Sequence, residues 1–127
     1  MEASVRKDRP KHLNLFVIRL PMPGIVSILH RVSGAGLFLM LPLLLWLFGA
    51  SVNADQADAF RAVAGFWLVK LLLLGLLWAY LHHFCAGIRF LLLDVHVGIE
   101  LPTARMSSYI VLAVSLTLTV ILGVLTW

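Results

Sequence analysis

The chain has 127 residues, about one domain's worth, of which 61% are hydrophobic and only 13% charged, with a mean hydropathy of +1.00. That balance excludes an ordinary soluble domain of this size and points to an integral membrane protein. The net charge of +4 does not imply nucleic-acid binding, because the basic residues gather at the ends of apolar stretches instead of covering a folded surface.

Residues 1–11 are polar and basic and lack the short apolar core of a secretory leader, so no cleavage is expected. Beyond them Leu13, Phe16, Val17 and Leu20 fall at helical spacing. Residues 12–20 therefore read as a short amphipathic surface helix, although Leu13 and Leu15 also fit an extended segment. Pro21 and Pro23 break the pattern and let a new helix begin near Gly24.

Three stretches are long enough to cross a bilayer, which takes roughly 20 apolar residues. Residues 32–54 and 106–127 contain no Lys, Arg, Asp or Glu, and residues 71–88 hold only His82, His83, Cys85 and Tyr80 as ionisable groups. The expected fold is all-α: an integral membrane bundle of three transmembrane helices forming one anchor domain over 1–127. Its parts are a cytoplasmic segment, 1–23, and helices over about 24–50, 63–92 and 107–127. Lys and Arg counts at the helix ends put the N-terminus and second loop in the cytoplasm, and the first loop and C-terminus outside.

The first helix carries Ser27, His30 and Arg31 at i, i+3 and i+4, so they share a face. Ser33, Gly34 and Gly36 follow; their small side chains suit either close helix packing or a flat cofactor. Pro42 predicts an irregularity in the same helix. The first loop, 51–61, looks solvated. In the second helix His83 lies roughly 25–30 Å from the outer end at 1.5 Å per residue, the same depth as His30 and Arg31. Ala79, Ala86 and Gly87 clear space beside it, while His82 points about 100° away. Trp78 is too deep for an interfacial belt and reads as packed inside. The second loop, 94–105, keeps helices two and three antiparallel. The third helix has only hydroxyls as polar features and reads as scaffold.

A non-covalent b-type haem needs a neutral imidazole, partners for its propionates and an apolar slot. His83 fits as the iron ligand, or else is hydrogen-bonded to a neighbouring helix. His30 fits as a second ligand or as a propionate donor beside Arg31. The single Cys85 excludes an internal disulfide, and no C-x-x-C-H motif signals covalent haem attachment. A quinone site needs donors near the membrane edge: Ser27 and Arg31 are of the right type, Arg31 alternatively snorkelling to lipid phosphate. Asp94 could orient an arginine or pass a proton. No carboxylate lies in the middle of a span, which counts against an ion-coupled transporter.

Two motifs carry a resemblance: Ser27-Ile28-x-His30-Arg31-x-Ser33-Gly34, opening helix one, and His83-x-x-x-Gly87-x-Arg89-x-x-x-x-Asp94, closing helix two. Arg9-Pro10-x-x-Leu13 adds weakly. With them the chain resembles, over nearly its whole length, the cytochrome b membrane-anchor subunits of bacterial succinate dehydrogenase. The resemblance implies a place in the bacterial inner membrane, with the N-terminus cytoplasmic and the C-terminus periplasmic. It implies haem b held by His83 as axial ligand, with the opposite histidine on a second membrane-anchor subunit and with His30 and Arg31 near the propionates. It further implies that Ser27 and Arg31 serve a ubiquinone-reduction site fed by an iron–sulfur subunit, while succinate is oxidised on a flavoprotein subunit. Phe90 departs from the pattern, since many relatives have His after this Arg; His82 is likewise unusual. The alternatives are a fumarate reductase anchor, or a haem-free structural membrane protein or small transporter.

Overall fold

A computed structural model describes residues 18–127, and the tail, the Arg9-Pro10 motif and most of the proposed surface helix lie outside them. Ile18, Arg19 and Leu20 are not helical. Four α-helices follow: α1 (Met22–Val52), α2 (Ala57–Gly65), α3 (Trp67–Asp94) and α4 (Leu101–Thr126), with a 3-10 turn at Ala54–Gln56. At 1.5 Å per residue α1, α3 and α4 are about 39–46 Å long, more than a hydrocarbon core requires. These three are the helices long and apolar enough to cross a membrane among the described residues.

The proline pair sets the start of α1. Pro21 is extended, with φ −67° and ψ 156°, and its carbonyl accepts from the N–H groups of Gly24 and Ile25. Pro23 falls in the first turn, where its missing N–H has no intrahelical partner to lose. The helix continues through Pro42 to Val52.

The first connection is more ordered than its polar composition suggests. Asn53 accepts from the Asp55 N–H through its side chain at 3.0 Å, starting the 3-10 turn that leads into α2. Phe66, at φ −70° and ψ 129°, then breaks the chain between α2 and α3. The expected second helix is thus divided: residues 63–65 end α2, and the spanning helix begins at Trp67. The third helix also begins earlier than residue 107, at Leu101, because Pro102 is tolerated in a first turn and Glu100 can precede it in extended conformation. His96 and Gly98, at φ 62° and 76°, make the left-handed bends between α3 and α4.

The spanning helices all pack on one another, with α2 lying against α1 and α3. Val26, Ala86 and Val111, one from each, form the buried apolar centre, with Cys85, Phe90 and Leu112 packed around it. On α4 Ser108, Ser115 and Thr119 are buried beside Val111, and their hydroxyls donate to the carbonyls of Ala104, Leu112 and Ser115. Bonding back to their own helix satisfies them, and their small size lets helices approach closely. Large apolar groups point outward instead: Phe38 is 75% and Leu125 77% exposed. In lipid such exposure carries no hydrophobic penalty, which is why the polarity pattern is inverted relative to a soluble bundle.

Candidate functional site

The site lies where the first turns of α1 meet the last turns of α3. His83 Nδ1–H donates to the main-chain carbonyl of His30 at 2.9 Å. The Ser33 hydroxyl donates to the same carbonyl at 3.0 Å and its oxygen stands 3.3 Å from His83 Nδ1. A carbonyl only accepts, so the proton is on Nδ1 and the lone pair on Nε2. The imidazole is held in one tautomer, by one nitrogen.

The His30 and His83 rings stack with centroids 4.1 Å apart and planes 10° from parallel. Close approach is possible because residue 34 has no side chain. A Cβ there would fall 2.7 Å from His83 Cε1 and 3.1 Å from Nδ1. At Gly87 the demand is weaker: a Cβ there would lie 3.7 Å from His30 Nε2, an ordinary van der Waals contact. The small residues around position 34 therefore accommodate an imidazole, one step more specific than helix packing alone.

The Phe90 ring also meets His30, in an edge-type contact with centroids 5.1 Å apart and planes 60° from parallel. Ser27, His30, Arg31 and Phe90 together line a cavity of about 230 Å³. Three sequence candidates thus share one cavity, and His83 adjoins it through His30. Asp94 is not among the lining residues; it ends α3 and is exposed.

His82 faces elsewhere. It is fully buried, its ring 5.4 Å from that of Trp78, and neither of its nitrogens nor Trp78 Nε1 has a hydrogen-bond partner among the described residues. The adjacent histidines therefore occupy different environments: one anchored and stacked, the other packed inside the bundle.

Arg89 was visible in the helix-two motif without a role. It is 5% exposed; its Nε donates to Ser107 Oγ at 2.9 Å and its Nη2 to the Ala104 carbonyl at 3.1 Å. It ties the end of α3 to the first turns of α4, away from the cavity. No sequence signal identified Ser107 as its acceptor, because the two lie on different helices.

The residues fit a b-type haem in donor chemistry: an imidazole whose tautomer leaves the lone pair on Nε2, and a cation and second imidazole one helix away. Two rings stacked face to face at 4.1 Å leave no room for a metal between them, so in this arrangement His30 and His83 do not form an opposed ligand pair. Among the described residues no group of three or more His, Cys, Asp or Glu comes together; a haem iron, already held by its ring nitrogens, does not require such a cluster.

Residues 5–122 match the family described as succinate dehydrogenase/fumarate reductase transmembrane subunit. The chain is 36% identical over 117 residues to the succinate dehydrogenase cytochrome b556 subunit of Paracoccus denitrificans, covering 91% of this chain and 90% of that one. It is 36% identical over 123 residues to the protein of the same name from Coxiella burnetii, at 94% and 97% coverage. With that of Rickettsia felis it shares 28% over 120 residues, 94% of each.

Proposed function

Because the chain belongs to the succinate dehydrogenase/fumarate reductase transmembrane-subunit family, among its cytochrome b anchor subunits, we propose that it holds haem b jointly with a second anchor subunit and forms part of a ubiquinone-reduction site. The observation that carries this reading is the His83–His30 arrangement, which fixes the His83 proton on Nδ1 and stacks the ring on His30, itself a lining residue of the cavity that holds Ser27 and Arg31.

In this reading His83 would hold the haem iron through Nε2, and the His30 carbonyl keeps the ring in the tautomer whose lone pair is on Nε2. His30 and Arg31 would hold the propionates, and the second anchor subunit would share in holding the haem. When bound, the haem supplies a one-electron redox centre. Ser27 and Arg31 donate hydrogen bonds to a quinone carbonyl; a guanidinium fork binds and polarises the oxygen. Ser27 or water passes protons to the reduced oxygen, and Asp94, exposed at the end of α3, is at most a surface source for them.

Electrons reach the quinone from an iron–sulfur subunit, and succinate is oxidised on a flavoprotein subunit. The complex sits in the bacterial inner membrane, the N-terminus of this chain cytoplasmic and its C-terminus periplasmic. The family description covers fumarate reductases as well, but the relatives compared above carry the succinate dehydrogenase name. Family membership leaves the small-transporter reading without support.

The test is Arg31→Ala in the assembled complex. Quinone reduction should fall by about tenfold or more, the cost of one or two charge-assisted hydrogen bonds, while succinate-dependent reduction of a soluble dye persists. Undiminished quinone turnover by a fully assembled variant would refute the role of Arg31.

A further inference from the structure

The cavity has one residue that none of the hydrogen-bonding roles uses. Ser27, His30 and Arg31, which line it, have polar side chains; Phe90 is the one lining side chain made only of carbon and hydrogen. A quinone headgroup makes two different demands. Its carbonyl oxygens need donors, and the flat faces of its ring need an apolar surface to replace water.

We propose that Phe90 is the wall on which the quinone ring rests, and so a specificity-determining residue of this site. The proposal rests on the quinone reading above and adds the group that grips the ring. Phe90 is well placed to be rigid. It packs on the buried centre made by Val26, Ala86 and Val111, its ring centroid lies 5.1 Å from that of His30 with the planes 60° apart, and the Arg89 guanidinium carbon stands over the ring at 5.4 Å. Arg89 is itself tied to α4. An aromatic side chain has few rotamers to lose, so a wall held in this way binds a flat ring at low entropic cost.

Phenylalanine also has no proton to exchange. Position 90 therefore contributes binding only, and proton delivery rests on the other lining residues and water. Loss of its contact should be felt in KM and not in kcat, the pattern of an interaction made equally in the ground and transition states.

The experiment compares Phe90→Ala, Phe90→Leu and Phe90→Tyr with the parent in membranes carrying the whole complex, using a short-chain ubiquinone analogue and reading KM and kcat separately. Dye-linked succinate oxidation and the reduced-minus-oxidised haem spectrum report assembly. Expected for Phe90→Ala is a KM raised about tenfold with kcat within about twofold. Phe90→Leu, which keeps apolar volume against the core, should raise KM about threefold, and Phe90→Tyr, which keeps the aromatic face, should restore it. The haem spectrum should be unchanged throughout. Unaltered KM in assembled Phe90→Leu and Phe90→Ala overturns the proposal, and so does a KM rise that always accompanies loss of the haem signal, since Phe90 would then be merely structural. Arg31→Ala in the same series separates the two levels: if it impairs turnover while the Phe90 variants do not, only the wall is lost; if it too is silent, the quinone site itself is misplaced.

Discussion

The imidazole of His83, on α3, is hydrogen-bonded through Nδ1 to the backbone carbonyl of His30, on α1, at 2.9 Å. A main-chain group cannot be substituted away or titrated, so the tautomer of His83 is set by helix packing and not by another side chain.

His83→Ala should remove the b-type signal from the reduced-minus-oxidised spectrum of the solubilised complex, cutting haem content at least about tenfold, since second-shell changes alone cost 10–100-fold. His82→Ala should leave the spectrum in place. A signal that depends on His82 and not on His83 would reassign the ligand.

Gly34→Ala tests the close approach. In an open helical position this change favours the helix by about 1 kcal/mol. Here the new Cβ meets His83 Cε1 at 2.7 Å, and the ring is held by its Nδ1 bond, so the net effect should be a loss of about 1–3 kcal/mol and a weakened haem signal. Gly75→Ala, with nothing within 4 Å, is the comparison. Thermal inactivation in detergent and haem content, measured together, decide it; equal behaviour of the two variants would remove the steric argument.

His82→Leu should be neutral to within about 1 kcal/mol, or stabilising. The native imidazole is fully buried with neither nitrogen paired among the described residues, and an apolar side chain of similar volume has no such atoms to desolvate. A large fall in the inactivation temperature would mean that His82 makes a polar contact in the assembled complex.

Arg89→Ala should lower stability by about 1–3 kcal/mol, the range for losing a buried charged hydrogen-bonding group. The loss is tempered because the Ala104 carbonyl still accepts from the Ser107 and Ser108 hydroxyls. Arg89→Lys should not restore it, as an ammonium cannot hold Ser107 and Ala104 in the fork geometry of a guanidinium. Ser107→Ala should show a smaller effect in the same direction. Yield and heat resistance of the purified complex are the readouts, and full rescue by Lys would show that charge alone matters.

Sequence determined the elements that depend on local composition. Three apolar stretches gave three helices long enough to span, because a chain in hydrocarbon must satisfy its backbone internally. Pro21 and Pro23 marked the start of α1, and spacing put Ser27, His30 and Arg31 on one face. Depth along two antiparallel helices brought His30 and His83 to one level. The boundaries were less legible: the break at Phe66, the order in residues 54–65 and the early start of α4 at Leu101 depend on backbone conformations that polar and apolar residues both adopt.

Tertiary structure alone decided which atoms meet. That His83 bonds to a carbonyl and not a side chain, that Gly34 is the position making room for it, that Phe90 closes the cavity while Asp94 stays outside, and that Arg89 reaches Ser107 are all relationships between helices. Periodicity reports the face of one helix, but the rotation and approach of its neighbour follow from how side chains interlock across the interface. No residue pattern along a single chain encodes that distance directly.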